Sequence, residues 1–305
     1  MALGRFNVTD NHRASGHVGA SSPTGRRVRT AGSVLALLVM MASVAERAPA
    51  QVSPDTPNTA LSSQGGGSAD LAQELANPLA AVISVPLQFN YDHGIGPFED
   101  GTRITANFQP VLPFSLDNGA TLITRVILPV VRLSDVTPGS GTKTGIGDTL
   151  LVGWYVPPPT EKLTWGIGPA LQVPGDEDVS SATWAAGFTL LGVYTTGPWT
   201  MGANFNHVWH IEDDPRVRTR RSFLQPFVAY STPNSMSYSL QAESVYDWVN
   251  EEWSVPIMGT VSKLATVGKL PINFSAGVGH WAESPKYGPQ GWRYRLQAQL
   301  VFPKR

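Results

Sequence analysis

The chain has 305 residues, with 22 Lys and Arg against 23 Asp and Glu, and it contains no cysteine. The near-zero net charge argues against a nucleic-acid-binding protein, which would carry a basic surplus. The absence of cysteine excludes disulfide scaffolds, zinc–thiolate sites and thiol catalysis. Only 15% of the residues are charged and the mean hydropathy is -0.08, which does not fit a helical membrane protein. With 30 glycines and nine tryptophans, this composition indicates a β protein that shows apolar surface to something other than water.

Residues 1–50 are predicted to be an export signal with an extended polar start. Arg26, Arg27 and Arg29 form a basic start, and residues 31–44 form an apolar run. Residues 48–50 fit a small-x-small cleavage pattern, and residues 43–45 are the alternative site. A short membrane anchor is the other interpretation, although the apolar run is shorter than the ~20 residues that a spanning helix needs.

Residues 51–78 are predicted to be a flexible linker followed by a short helix. Residues 51–69 are rich in Pro, Ser, Thr and Gly and have too little apolar content to bury a core. Asp70 fits a helix N-cap, and Gln73 stands at the capping-box position. The rest of the chain, residues 79–305, is predicted to be one β domain.

From residue 80 onward, apolar and polar residues alternate with a period of two, which is typical of strands with two different faces. In the last segment, for example, Tyr294 and Leu296 share one face, whereas Arg293, Arg295 and Gln297 share the other. The predicted strands are 80–93, 102–116, 120–134, 145–157, 162–174, 183–196, 199–211, 221–232, 236–249, 252–264, 270–282 and 291–303.

The connections between these strands alternate, with one exception, between long and short. Outer-membrane barrels have this pattern, because their extracellular loops are long and their periplasmic turns are short. Most tryptophans lie near predicted strand ends, where aromatic girdles meet the membrane interfaces. A soluble β-sandwich or lipocalin-like barrel is the alternative, but it would keep its charges on the outer strand faces. We therefore predict an all-β, antiparallel transmembrane β-barrel of about twelve strands with a short N-terminal helix.

Several segments resemble a known protein family. They include NPLAAVISVPLQFNYDHGIGP, GIGDTLL, WGIGPALQVP and HWAESPKYGPQGW, and they occur in order across about residues 71–305. They are similar to Gram-negative outer-membrane transporters of the meta-pathway phenol-degradation type, some of which carry the misapplied label neuromedin U. The resemblance implies an outer-membrane β-barrel with a role in uptake, and it supplies no catalytic residues.

Alternation also predicts which polar side chains face the interior of the barrel. The candidate pore-lining residues are Arg103, Asn107, Gln109, Arg125, Asn204, Asn206, Gln241, Glu243, Asp247, Arg293, Arg295 and Gln297. Basic and acidic groups on opposite walls of a narrow pore would create a transverse field that filters solutes by charge. The alternative is that these groups pair with one another and fill a closed interior.

Two histidines, His207 and His210, flank a tryptophan and suggest a metal site or a general base. At i and i+3 of a strand they point to opposite faces, so a two-histidine ligand set is not expected. No G-x-S-x-G elbow is present, and an outer-membrane enzyme therefore ranks below the other interpretations. We predict no catalytic residue, metal or cofactor.

The function predicted from the sequence is a channel or transporter for passive uptake of small solutes. That the solutes are aromatic or hydrophobic follows from the resemblance alone. The alternative is a non-conducting structural or binding barrel. Expected partners are outer-membrane lipid and lipopolysaccharide, the barrel-insertion machinery and a small-molecule solute, without nucleic acid. No segment resembles the long constriction loop of trimeric porins, so we expect a monomer.

Overall fold

The computed structural model of the protein describes residues 67–212 and 218–302. The predicted export signal and residues 51–66 of the predicted linker lie outside the described residues. No helix in the described part has the length and apolar character needed to cross a bilayer.

Twelve antiparallel strands form the fold, and three of them are interrupted by short breaks. They are β1 (Ile83–Ile95), β2 (Gly101–Phe108 and Val111–Ser115), β3 (Thr121–Ser134), β4 (Thr142–Ile146 and Thr149–Val156), β5 (Leu163–Val173), β6 (Ala185–Thr196), β7 (Trp199–His210), β8 (Arg220–Ser231), β9 (Met236–Ala242 and Ser244–Asp247), β10 (Glu252–Val267), β11 (Leu270–Glu283) and β12 (Gln290–Phe302). The predicted antiparallel barrel of twelve strands is therefore confirmed, with strand ends that differ from the prediction by at most three residues.

The sheet closes on itself through its first and last strands. β1 pairs with β12 along a register that runs from Ile83 opposite Phe302 to Asp92 opposite Arg293. Every other strand pairs with its two neighbours in the chain. Closure removes the sheet edges, whose unpaired backbone groups would be costly in lipid.

The outer surface of the barrel is apolar. Three large apolar side chains illustrate this, namely Phe89 of β1 (52% exposed), Leu296 of β12 (63%) and Phe274 of β11 (46%). Seven of the nine tryptophans are also exposed, as expected for aromatic girdles. The other two differ from that expectation, because Trp154 is only 2% exposed inside the barrel and Trp281 donates a hydrogen bond to the buried Asp92.

One wall of the interior is packed with apolar side chains. Ile123, Val152, Trp154 and Leu191 belong to a buried cluster carried mainly by β3 to β7. The Trp154 Nε1 group donates to Thr189 Oγ1 at 3.0 Å, so its polar atom is satisfied away from water. The opposite wall, formed by β1, β2, β9, β11 and β12, carries the charged groups described below.

The N-terminal helix α1 (Ser68–Glu74) lies against the short turns of the barrel. The Gln73 Nε2 group donates to the Gly197 carbonyl at 2.6 Å, and Ser235 Oγ donates to Ser68 Oγ at 2.8 Å. The segment that follows the helix places Leu79, which is 4% exposed, in the apolar cluster of the interior.

The start of α1 differs from the prediction. The N-cap is Gly67 rather than Asp70, and no side chain caps the helix. Asp70 lies instead in the first turn, where its negative charge is favourable near the helix N-terminus.

Candidate functional site

A cavity of about 540 Å³ lies inside the barrel and is the candidate site. Its lining comes from the strands, from Ala72 of α1 and from the segment that follows α1. Ten of the twelve candidate residues line it, namely Asn107, Gln109, Arg125, Asn204, Asn206, Gln241, Glu243, Arg293, Arg295 and Gln297. Arg103 and Asp247 lie outside this lining, and each forms an ion pair.

Glu243 is the centre of the charged network. It lies at the break in β9, where its side chain faces two arginines of β12. Its two oxygens accept from Arg295 Nη1 and Nη2 at 2.7 and 2.9 Å, which is a bidentate pair. Arg293 Nη1 lies 3.3 Å from the same carboxylate, and Gln241 Nε2 donates to it at 2.8 Å.

A second carboxylate, Asp92 of β1, completes the network and was missed by the sequence analysis. Its side chain is 0% exposed, and Arg103 Nη2 donates to it at 2.8 Å. Arg293 Nε lies 3.4 Å away, and Trp281 Nε1 donates at 3.0 Å. Its position continues the polar alternation of Gln88 and Asn90, which could have identified it.

Arg125 of β3 extends the network toward the apolar wall. It donates a hydrogen bond to Gln109, which is a neutral acceptor. Its Nε is buried and has no hydrogen-bond partner among the residues that the structure describes.

Two glycines of β11 lie beside the arginines of β12. Arg293 and Arg295 lie opposite Gly279 and Gly277 of β11. A Cβ atom at position 279 would lie 2.2 Å from the sulfur of Met258, and one at 277 would lie 2.8 Å from Thr260 Oγ1. Glycine at these two positions therefore leaves space that β10 side chains occupy next to the network.

The network contains more positive than negative charge. Arg103, Arg293 and Arg295 pair with the two carboxylates, and Arg125 bonds to neutral Gln109. Among the described residues of the network, four positive charges thus face two negative ones. Removing one partner of a buried ion pair leaves the other uncompensated and costs about 3–5 kcal/mol, so the paired members also hold the interior together.

The remaining candidates lie apart from this network. Asp247 pairs with Arg221 of β8 at 3.2 Å and accepts hydrogen bonds from its own turn. Asn204 and Asn206 of β7 line the cavity, and the side-chain oxygen of each is buried without a donor in the described part of the chain.

The two histidines do not come together, as the strand geometry predicts. His207 packs its ring near Trp209 and Phe188 on the outside, whereas His210 Nδ1 lies 3.3 Å from the Thr219 carbonyl oxygen. Within residues 67–212 and 218–302, no group of three or more metal-ligating side chains is found.

Comparison with known proteins agrees with the architecture. An outer membrane channel from Pseudomonas putida F1 is 17% identical with a TM-score of 0.57, over 73% of this chain and 97% of that chain. The KdgM porin is 13% identical with a TM-score of 0.47, over 72% and 99%, and the NanC porin is 10% identical with a TM-score of 0.46, over 72% and 100%. At such identities the likeness shows the fold alone, and of these three structures the first has a TM-score above 0.5.

No curated protein sequence matches the chain. A family model does match it, over residues 98–264, which is more than half of the chain and spans β2 to most of β10. By that match, the chain belongs to the family described as "Putative MetA-pathway of phenol degradation".

Proposed function

We propose that the protein is an outer-membrane channel through which small solutes pass without an energy source. The observation that carries this proposal is a closed barrel with an apolar outer surface around a cavity of about 540 Å³ that is lined by polar side chains. A barrel of this kind satisfies its backbone in lipid and keeps its polar groups for the interior.

The residues that line the cavity favour small solutes that are partly apolar. Leu150, Val208, Phe223 and Phe227 line the same cavity as the charged residues. An interior with one apolar and one polar wall suits molecules that carry an aromatic or hydrophobic body and a polar group. The family description, which refers to phenol degradation, agrees with aromatic solutes.

The proposed channel would have lipid and the assembly machinery of the outer membrane as its partners. The exposed aromatic and aliphatic side chains would contact outer-membrane lipid and lipopolysaccharide, and the barrel-insertion machinery would assemble the protein there. We propose that the functional unit is the single barrel, because one chain closes its own sheet.

Single-channel recording in planar bilayers tests the proposal. Purified protein that migrates as a folded barrel on unheated gels should give discrete current steps in potassium chloride. Protein denatured before reconstitution is the control and should give none.

The second candidate is a non-conducting barrel, and one observation favours it. Leu79 and the charged network occupy part of the interior from two sides. Folded protein that gives no current at any voltage would refute the channel and support this second candidate.

A further inference from the structure

We propose that Arg125 is a binding site for the carboxylate of a small organic anion whose apolar body packs on the neighbouring wall. The role of this anion as a transported solute rests on the proposed channel, whereas its binding does not. The inference depends on three features of Arg125. Its charge has no carboxylate partner, the nearby carboxylate is already bound to other donors, and an apolar surface lies beside it.

The charge of Arg125 has no direct partner. Its guanidinium group donates to Gln109, and its Nε is buried without an acceptor in the described part of the chain. No ion pair joins it to a carboxylate among the described residues, in contrast to Arg103, Arg293 and Arg295. A buried cation in this state is unfavourable, and an incoming anion would relieve that cost.

The nearby carboxylate cannot supply the missing partner. Glu243 interacts electrostatically with Arg125, but both of its oxygens are held by Arg295, and Arg293 and Gln241 share them. Glu243 would have to break a bidentate pair to reach Arg125. Arg125 therefore stays without a carboxylate partner among the described residues, at the end of the network.

The neighbours of Arg125 in the sheet are apolar. Val111 of β2 and Val152 of β4 lie opposite it on either side. Val152 belongs to the buried apolar cluster with Ile123, and Val111 packs against that cluster. Arg293 and Arg295, by contrast, face Asp92 and Asn90 across the β1–β12 pairing. Arg125 is thus the arginine of this network that stands where the polar and apolar walls meet.

These features define the chemical class of the ligand. A carboxylate matches the planar donors of a guanidinium group and neutralises its charge. A flat or compact apolar body would bury its surface against the valines, which favours an aromatic or short aliphatic monocarboxylate over an inorganic anion. A cavity of about 540 Å³ has room for one such molecule.

Isothermal titration of the purified, folded barrel in detergent tests the site with benzoate, acetate and the uncharged benzamide. Benzoate should bind to the wild type, and acetate should bind more weakly because it lacks the apolar body. Benzamide should bind about 10- to 100-fold more weakly than benzoate, since it loses the charge-assisted hydrogen bonds.

Two variants distinguish the loss of Arg125 from the loss of another interior arginine. Arg125→Gln should lower benzoate affinity to that of benzamide. The double variant Arg221→Gln, Asp247→Asn removes a paired arginine of the interior with no change in net charge, and it should bind benzoate as the wild type does. Migration on unheated gels checks that each variant is folded.

The proposal is overturned if wild-type protein binds benzoate and benzamide equally or binds neither. It is also overturned if folded Arg125→Gln retains wild-type affinity for benzoate, and equal binding of acetate and benzoate would refute the role of the apolar wall. Benzoate binding without bilayer currents would refute the channel and leave the site intact. Currents without benzoate binding would refute the site alone.

Discussion

Replacement of Leu296 by arginine should destabilise the barrel by ~2–4 kcal/mol, the cost of a basic residue on the lipid face at the bilayer midplane. Leu296 is the most exposed of the large apolar side chains within β12, at 63%. It is the seventh of the thirteen residues of β12, and it lies opposite Phe89 and Ala276.

The strand geometry places Leu296 where the full destabilisation of ~2–4 kcal/mol is expected. Thirteen residues that rise ~3.3 Å each and tilt by ~40° span about 33 Å along the membrane normal, close to the ~30 Å hydrocarbon core. The middle residue of β12 then lies near the centre of the bilayer. An arginine there cannot reach either headgroup region without thinning the bilayer.

Reversible urea unfolding in lipid vesicles, followed by tryptophan fluorescence, measures this cost. Gln297→Arg is the matched control, because Gln297 lines the interior cavity one residue further along the strand. It should cost clearly less than Leu296→Arg, even though the interior already has surplus positive charge. An equal cost for the two variants, or a larger cost for Gln297→Arg, would show that the inward and outward faces of β12 are wrongly placed.

Three further predictions concern the interior and the linker. The double variant Arg125→Gln, Arg295→Gln should shift the reversal potential in a salt gradient toward cation preference. The shift should be smaller at high salt, because salt screens the charges, and unchanged selectivity in an open channel would contradict this prediction. Gly279→Ala should destabilise by ~1–3 kcal/mol through contact with the Met258 sulfur, whereas Gly259→Ala, whose added Cβ would meet its nearest atom at 3.8 Å, should be tolerated; urea unfolding compares them. Deletion of residues 51–66 with the export signal retained should preserve heat-modifiable migration on gels, and its loss would mean that the segment is needed for assembly.

The strands were predictable because alternation is a local signal. Successive side chains of a strand point alternately inward and outward. The inward positions of Arg125, Arg293 and Arg295 therefore follow from the residues next to them in the sequence. Asp92 belongs to the same pattern, but it lies close to the end of the predicted first strand. Near a strand end the alternation of inward and outward residues is hardest to assign from the sequence.

The partners of these side chains were not predictable, because they depend on contacts between distant strands. Glu243 binds Arg295, 52 residues later, only because of how β9 and β12 are placed around the barrel. The interior position of Trp154 was not predictable for a similar reason. Nothing in its local sequence distinguishes a tryptophan inside the barrel from one in an aromatic girdle.

The polar groups at the β1–β12 pairing bear on how the barrel closes accurately. A shift of the two strands by two residues would keep every apolar side chain outside, so the lipid-facing pattern alone does not reject it. Such a slip would place Asp92 opposite Gly291 or Arg295 and would separate both Asp92 from Arg293 and Asn90 from Arg295. Asp92 would keep Arg103 but lose its contact with Arg293, and Arg295 would lose its hydrogen bond to Asn90. The loss of these buried contacts disfavours the shifted state. The interior contacts of β1 and β12 therefore select the observed alignment among those that the apolar outer face alone would accept.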